Sequence, residues 1–143
     1  MAKPTPATGT NSEISEMMAG YAARAVELGA ERGVKLDYAE QSLQRLEQIL
    51  AETERQKDKD LDELCKIYGA YFGEVIRRRF GGDWTVERYP AGDFLIVTLN
   101  IAGARLFPSM KIHRRLTEGD GDNVWSFYKM VKTKLEKNPP RSH

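Results

Sequence analysis

Residues 61–84, LDELCKIYGAYFGEVIRRRFGGDW, decide the fold. Leu61, Leu64, Cys65, Tyr68, Phe72, Val75, Ile76 and Phe80 recur at i, i+3, i+4 and i+7 over five turns, the spacing of one buried helical face. Gly81-Gly82 supply a C-terminal stop, because glycine takes the left-handed conformation that closes helices. Arg77, Arg78 and Arg79 fall in the last turns, where cations meet the negative end of the helix dipole. After Trp84 the apolar period changes from helical to twofold, so the chain passes here from helix to sheet.

Downstream, Trp84–Tyr89, Phe94–Ile101 and Ala104–Phe107 read as strands. Pro90-Ala91-Gly92-Asp93 and Ala102-Gly103 separate them, and connections this short imply an antiparallel meander. Pro108 cannot donate to a ladder, so it ends the strand or opens a short helix, PSMKIHRRLTEG, with Gly119 beyond its end. Asp122 or Asn123 then caps a final helix whose apolar face is Val124, Phe127, Tyr128, Val131 and Leu135.

Upstream, Ser12 is the expected N-cap of a first helix with a stripe of Ile14, Met17, Met18, Tyr21, Ala25 and Leu28, ended by Gly29 and Gly33. Asp37 and Glu40 resemble a capping box for a second helix that buries Ala39, Leu43, Leu46, Ile49 and Leu50. Residues 52–60, ETERQKDKD, contain no apolar side chain and are expected to be solvated. The resulting class is α+β: three N-terminal helices, an antiparallel three-stranded meander, a short helix and a C-terminal helix. Residues 12–137 form one expected domain between flexible tails at 1–11 and 138–143, both poor in groups to bury.

With 143 residues, 41% hydrophobic and 30% charged, the chain is long enough to bury roughly two-thirds of its unfolded surface without staples. No apolar run approaches the ~20 residues of a membrane span, and the start carries no apolar signal region, so the expected location is cytoplasmic. One cysteine excludes an internal disulfide framework. That cysteine and two histidines cannot by themselves make a structural zinc site, and neither a metal nor a cofactor is implied. Residues 1–63 carry eight Lys/Arg against thirteen Asp/Glu, and residues 64–143 carry fourteen against eight. The simplest reading is an acidic half complementing a basic half.

No P-loop, dinucleotide fingerprint, GxSxG or HExxH occurs. Glu118-Gly-Asp120-Gly-Asp122 imitates a calcium loop, but Asn123 stands in place of the turn glycine and Lys129 in place of the bidentate Glu. Glu74 faces Arg77 and Arg78 at i+3 and i+4, and an intrahelical ion pair explains it without catalysis. Gly69 and Gly73 each cost about 1 kcal/mol against alanine inside a helix, so they mark a small-residue groove. That groove takes either a close-packed neighbour or a ligand or partner, with Tyr71, Glu74 and His113 as its polar groups. Arg77, Arg78, Arg79, Lys111, Arg114 and Arg115 make up a candidate basic patch. It lacks interleaved aromatics, and the chain is near neutral, which argues against nucleic acid.

Three segments, DYAEQSLQRLEQIL, GAYFGEVIRRRFGGDW and LFPSMKIHRRLTEGDGDNVWSFY, carry a resemblance in their order and spacing. Over about Asp37 to Tyr128 the chain resembles a family of small bacterial domains of unknown function. Those domains share an aYxGEvI helix ending in Gly-Gly-x-Trp and a later Pro-containing basic segment. The resemblance implies a bacterial cytoplasmic protein and a shared structural reason for Gly73, Glu74 and Trp84; it brings no catalytic residue. The balance favours a non-catalytic protein-interaction module, of adaptor or immunity type, with a protein partner. The rival is an enzyme or small-ligand receptor with a pocket between the third helix and the sheet, which requires Glu74, Tyr71 and His113 to converge.

Overall fold

The computed structural model describes residues 10–137. In chain order it has α1 (Asn11–Glu31), α2 (Ser42–Glu54), α3 (Leu61–Phe80), β1 (Asp83–Arg88), β2 (Leu95–Ile101), β3 (Ala104–Leu106), α4 (Pro108–Glu118), a single 3-10 turn (Asp120–Asp122) and α5 (Val124–Lys137). The strands form one antiparallel sheet in the order β1-β2-β3. This is the expected α+β arrangement, with strand ends shifted by about one residue.

α3 is the axis of the molecule. Every residue from Ile67 to Ile76 is buried, so its middle is enclosed on all faces and not only along the periodic stripe. Ile67, Ala70 and Tyr71 lie off that stripe and are buried all the same. α1 and α4 pack most extensively against it. The N-terminus of α3 is capped by Asp60, whose carboxylate accepts from Glu63 N at 3.2 Å.

The glycine pair is the bed on which the second half of the chain rests. A Cβ on Gly69 would lie 2.7 Å from Ser109 Cα, and one on Gly73 would lie 2.6 Å from Trp84 Cζ2 and 3.1 Å from Pro108 Cγ. The start of α4 therefore crosses the α3 backbone at Gly69, and the Trp84 indole sits on Gly73. The groove expected from the sequence exists, and protein fills it.

Several expectations near the N-terminus are corrected. The N-cap of α1 is Thr10, not Ser12, in a reciprocal capping box with Glu13. Thr10 and Asn11 thus belong to the helix start; the rest of the expected tails lies outside the described residues. α1 runs through Gly29 to Glu31, and its buried line is Ile14, Met18, Ala22, Ala25 and Gly29. Met17 is 42% exposed, because the line drifts around the cylinder and passes it by. Gly29 is buried where a Cβ would press on Val34 O, the first step of the return toward α2.

α2 begins at Ser42, not at Asp37. Asp37 Oδ1 accepts from Ala39 N at 3.2 Å, closing a local turn, and Tyr38 adopts φ 67°. The left-handed backbone at Tyr38 breaks the helix before it starts, which leaves Ala39 exposed. Tyr71 Oη accepts from Tyr38 N at 2.8 Å and lies 2.6 Å from Ser42 Oγ, whose own proton goes to Ala39 O. Nor is 52–60 wholly solvated: Thr53 is buried and donates to Ile49 O.

The uneven charge is resolved by a ladder of three acids. Glu40, Glu47 and Glu54 are spaced by seven residues and meet the basic second half of the chain. Glu40 accepts from Tyr128 Oη at 2.8 Å and from Lys132 Nζ at 3.0 Å, with Arg79 at 3.7 Å. Glu47 accepts from Arg115 Nε at 2.8 Å and from Val124 N at 3.0 Å, and so caps α5. Glu54 accepts from Arg115 Nη1 at 2.6 Å. The sequence places Glu47 on a polar face without revealing that this face is covered; the sevenfold spacing is the signal that finds it.

Candidate functional site

The residues singled out in the sequence separate into two groups, those that build the core and those that reach solvent. Glu74 belongs to the first. It is 2% exposed, and its carboxylate accepts from Arg77 Nε at 2.6 Å, Arg77 Nη2 at 3.1 Å, Arg78 Nε at 3.4 Å and Trp84 Nε1 at 2.8 Å. Gly73 seats the indole, Glu74 receives its N–H, and the two arginines neutralise the buried charge, so Gly73, Glu74, Arg77, Arg78 and Trp84 work as one unit. Burial alone would raise the Glu74 pKa, but the Arg77 and Trp84 hydrogen bonds outweigh it and hold the pKa below the ordinary value.

That shift has a measurable consequence. A carboxylate with a lowered folded-state pKa contributes fully above its unfolded pKa, about 4.3, and loses that contribution as pH falls through the folded value. Glu40 is lowered likewise, by hydrogen bonds from Lys132 and Tyr128. The thermal midpoint should hold level from neutral pH to about pH 5 and fall below about pH 4. Glu74→Gln should start lower at pH 7 and fall less steeply in acid, which thermal scans across pH would read.

Glu74, Tyr71 and His113 share no pocket. The Tyr71 hydroxyl is spent on the α1–α2 connection, Glu74 is spent on Trp84 and its own helix, and His113 is half-buried on α4. The six cations are divided in the same way. Arg77 and Arg78 pair with Glu74, Arg79 with Glu40, Lys111 with Asp122, and Arg115, 1% exposed, with Glu47 and Glu54. Arg78 also lies 3.6 Å over the Tyr38 ring. Only Arg114 of the six stands without a carboxylate among the described residues. It is exposed and donates from Nη2 to Tyr89 Oη at 3.2 Å.

Arg114 leads to a site the sequence reading passed over. On the core-facing side of the sheet, Trp84 pairs with Leu99, Val86 with Val97, and Arg88 with Leu95. Along this face burial falls steadily: Trp84 and Leu99 are enclosed, Val86 and Val97 are half-buried, and Leu95 is 48% exposed. The β1–β2 hairpin therefore outruns the helices that cover its base, and its apolar face emerges into solvent at the tip.

The tip is ordered by its own side chains. Tyr89 N donates to Phe94 O at 2.9 Å and Gly92 N to Tyr89 O at 3.3 Å, closing the loop Pro90–Asp93. Phe94, 44% exposed, stacks on Tyr89 with centroids 5.3 Å apart, and Phe107 meets Tyr89 edge-on at 5.0 Å. Phe94 also lies over Gly92, where a Cβ would come within 2.8 Å of its Cδ2. Arg88 pairs with Asp93 across the loop. The signal available in the sequence was the pair of aromatics flanking the turn, Tyr89 and Phe94, with a third, Phe107, at the end of the next strand.

The remaining features are quieter. A shallow, mostly apolar hollow of about 350 Å³ lies against Val26, Ala30, Gly33, Val34, Leu36 and Asp37, none of which belongs to the hairpin tip. Among the described residues no group of three or more His, Cys, Asp or Glu is placed to hold a metal ion, and no helix is long and apolar enough to cross a membrane. Cys65 is buried, and burial, helped by Asp62, pushes its thiol pKa up to about 12. Its labelling by a thiol reagent should be far slower in the native protein than in denaturant; equal rates would show the α3 N-terminus to be open. No protein-family model, curated protein or solved structure matches the chain.

Proposed function

We propose that this protein is a non-catalytic protein-interaction module whose contact surface is the tip of the β1–β2 hairpin together with the start of α4. The observation that supports this reading most is the self-ordered cluster of Tyr89, Phe94 and Phe107, with the Phe94 ring exposed, beside Arg114. Aromatic residues and arginine dominate the energetics of protein interfaces, and rigid aromatic anchors lose little conformational entropy on binding. Phe94 reaches solvent at the tip of the hairpin, and a partner covering it would bury apolar surface that the protein itself leaves exposed. The resemblance of GAYFGEVIRRRFGGDW to small bacterial domains supports a bacterial cytoplasmic protein, and an adaptor or immunity-type role is the form of interaction module that the lack of a complete catalytic set favours.

The rival pocket between α3 and the sheet has less to support it, because Trp84 and Pro108 occupy the space beside Gly73. The test is site-specific photocrosslinking in the cell that makes the protein, with a photoreactive phenylalanine at position 94 and, as control, at exposed position 126. The reading expects a discrete crosslinked protein from position 94 alone. Equal or absent crosslinking at both positions would contradict it.

A further inference from the structure

The charges around the hairpin tip point to the chemistry of what docks there. Every described arginine other than Arg55 and Arg114 pairs with a carboxylate. Arg55 is exposed just beyond α2 and stacks on no described aromatic ring. Arg114 is different, because its guanidinium donates to the Tyr89 hydroxyl and so stands beside the aromatic cluster. A phenol satisfies one donor and leaves most of the planar fork open, and that fork matches a carboxylate in two-point geometry. Met110 lies one turn before Arg114 and about one turn after Phe107, and it is half-buried on the same helix. The exposed surface thus presents an apolar shelf with one positioned, uncompensated cation at its border.

Resting on the reading above, we propose that this surface binds a linear peptide segment of a partner protein in which an Asp or Glu lies beside an aromatic or aliphatic anchor. The anchor packs on the exposed Phe94 ring, and the carboxylate pairs with Arg114. Single-stranded nucleic acid fits less well. Tyr89 is already enclosed between Phe94 and Phe107, and one unpaired arginine is no track for a phosphate backbone, which takes several cations. A second copy of the chain across a twofold axis would bring like surfaces together, and the carboxylate at the tip, Asp93, is already paired with Arg88.

The test is selection of a displayed library of random linear peptides on the full chain, followed by binding of the enriched peptides to variants and of an oligouridine RNA as a second probe. The expected result is a consensus pairing an acidic residue with an apolar one. Binding should fall at least about tenfold for Arg114→Gln, the scale of a charge-assisted hydrogen bond, and also for Phe94→Ser, while Arg55→Gln leaves it unchanged. Circular dichroism of each variant separates lost binding from lost fold. Enriched peptides without a carboxylate, or full binding to Arg114→Gln, would overturn the proposal. So would Arg114-dependent RNA binding at physiological salt. A partner crosslinked from position 94, alongside selected peptides that lack acids, would remove this inference and leave the interaction surface standing.

Discussion

Replacing Gly73 with leucine is expected to destabilise the protein by about 3 kcal/mol, at the upper end of what overpacking usually costs. The new Cβ would start 2.6 Å from Trp84 Cζ2 and 3.1 Å from Pro108 Cγ. Neither neighbour is the loose end of a flexible chain. Trp84 is fully buried and its indole is hydrogen-bonded to Glu74, so moving the ring breaks that bond as well as the packing. The better helix propensity of leucine returns less than about 1 kcal/mol and cannot reverse the sign. Gly20 is the control: it lies in α1 with nothing near its absent Cβ, and Gly20→Ala should stabilise by up to about 1 kcal/mol. Equilibrium denaturation of the two variants checks both directions. A neutral Gly73→Leu would mean that the indole does not sit on α3.

The second large effect is expected at Arg115. Arg115→Ala removes the cation between Glu47 and Glu54 and leaves Glu47, itself largely covered, without its partner. Breaking a buried pair from one side costs about 3–5 kcal/mol. The lower end applies here because Glu54 is a third exposed and regains water. Burial alone would lower the Arg115 pKa, yet Glu54 and Glu47 hold it above its ordinary value, so the arginine stays charged across the accessible pH range. Arg114→Ala, one residue away and exposed, should change stability by about 0.5 kcal/mol or less. Denaturation midpoints of these adjacent variants distinguish a tether between the halves of the chain from a general need for positive charge on α4.

The sequence was most legible where a single period governs a long segment. α3 is found at its expected ends because the i, i+3, i+4 repeat from Leu61 to Phe80 and the stop at Gly81-Gly82 agree. Periodicity does not show how many faces are covered, since Ile67, Ala70 and Tyr71 look the same in the sequence whether α3 lies at the surface or at the centre. Tertiary contacts decided that, as they did at Tyr38, where Tyr71 and Ser42 hold a left-handed residue in place of the first turn of α2. Glu74 was legible as half of an ion pair, but the Trp84 indole that completes its shell arrives from ten residues on. The hairpin tip was the least legible. Phe94 and Leu95 follow the pattern of a buried strand, yet both reach solvent because they lie at the turn end of the hairpin.

The reading of the tip as the contact surface is tested most directly by backbone hydrogen exchange of the protein, alone and with the partner crosslinked from position 94. Protection on binding is expected in residues 89–95 and 107–114, with exchange in residues 26–37 around the apolar hollow unchanged. Protection confined to 26–37, with the hairpin tip exchanging as in the free protein, would contradict it.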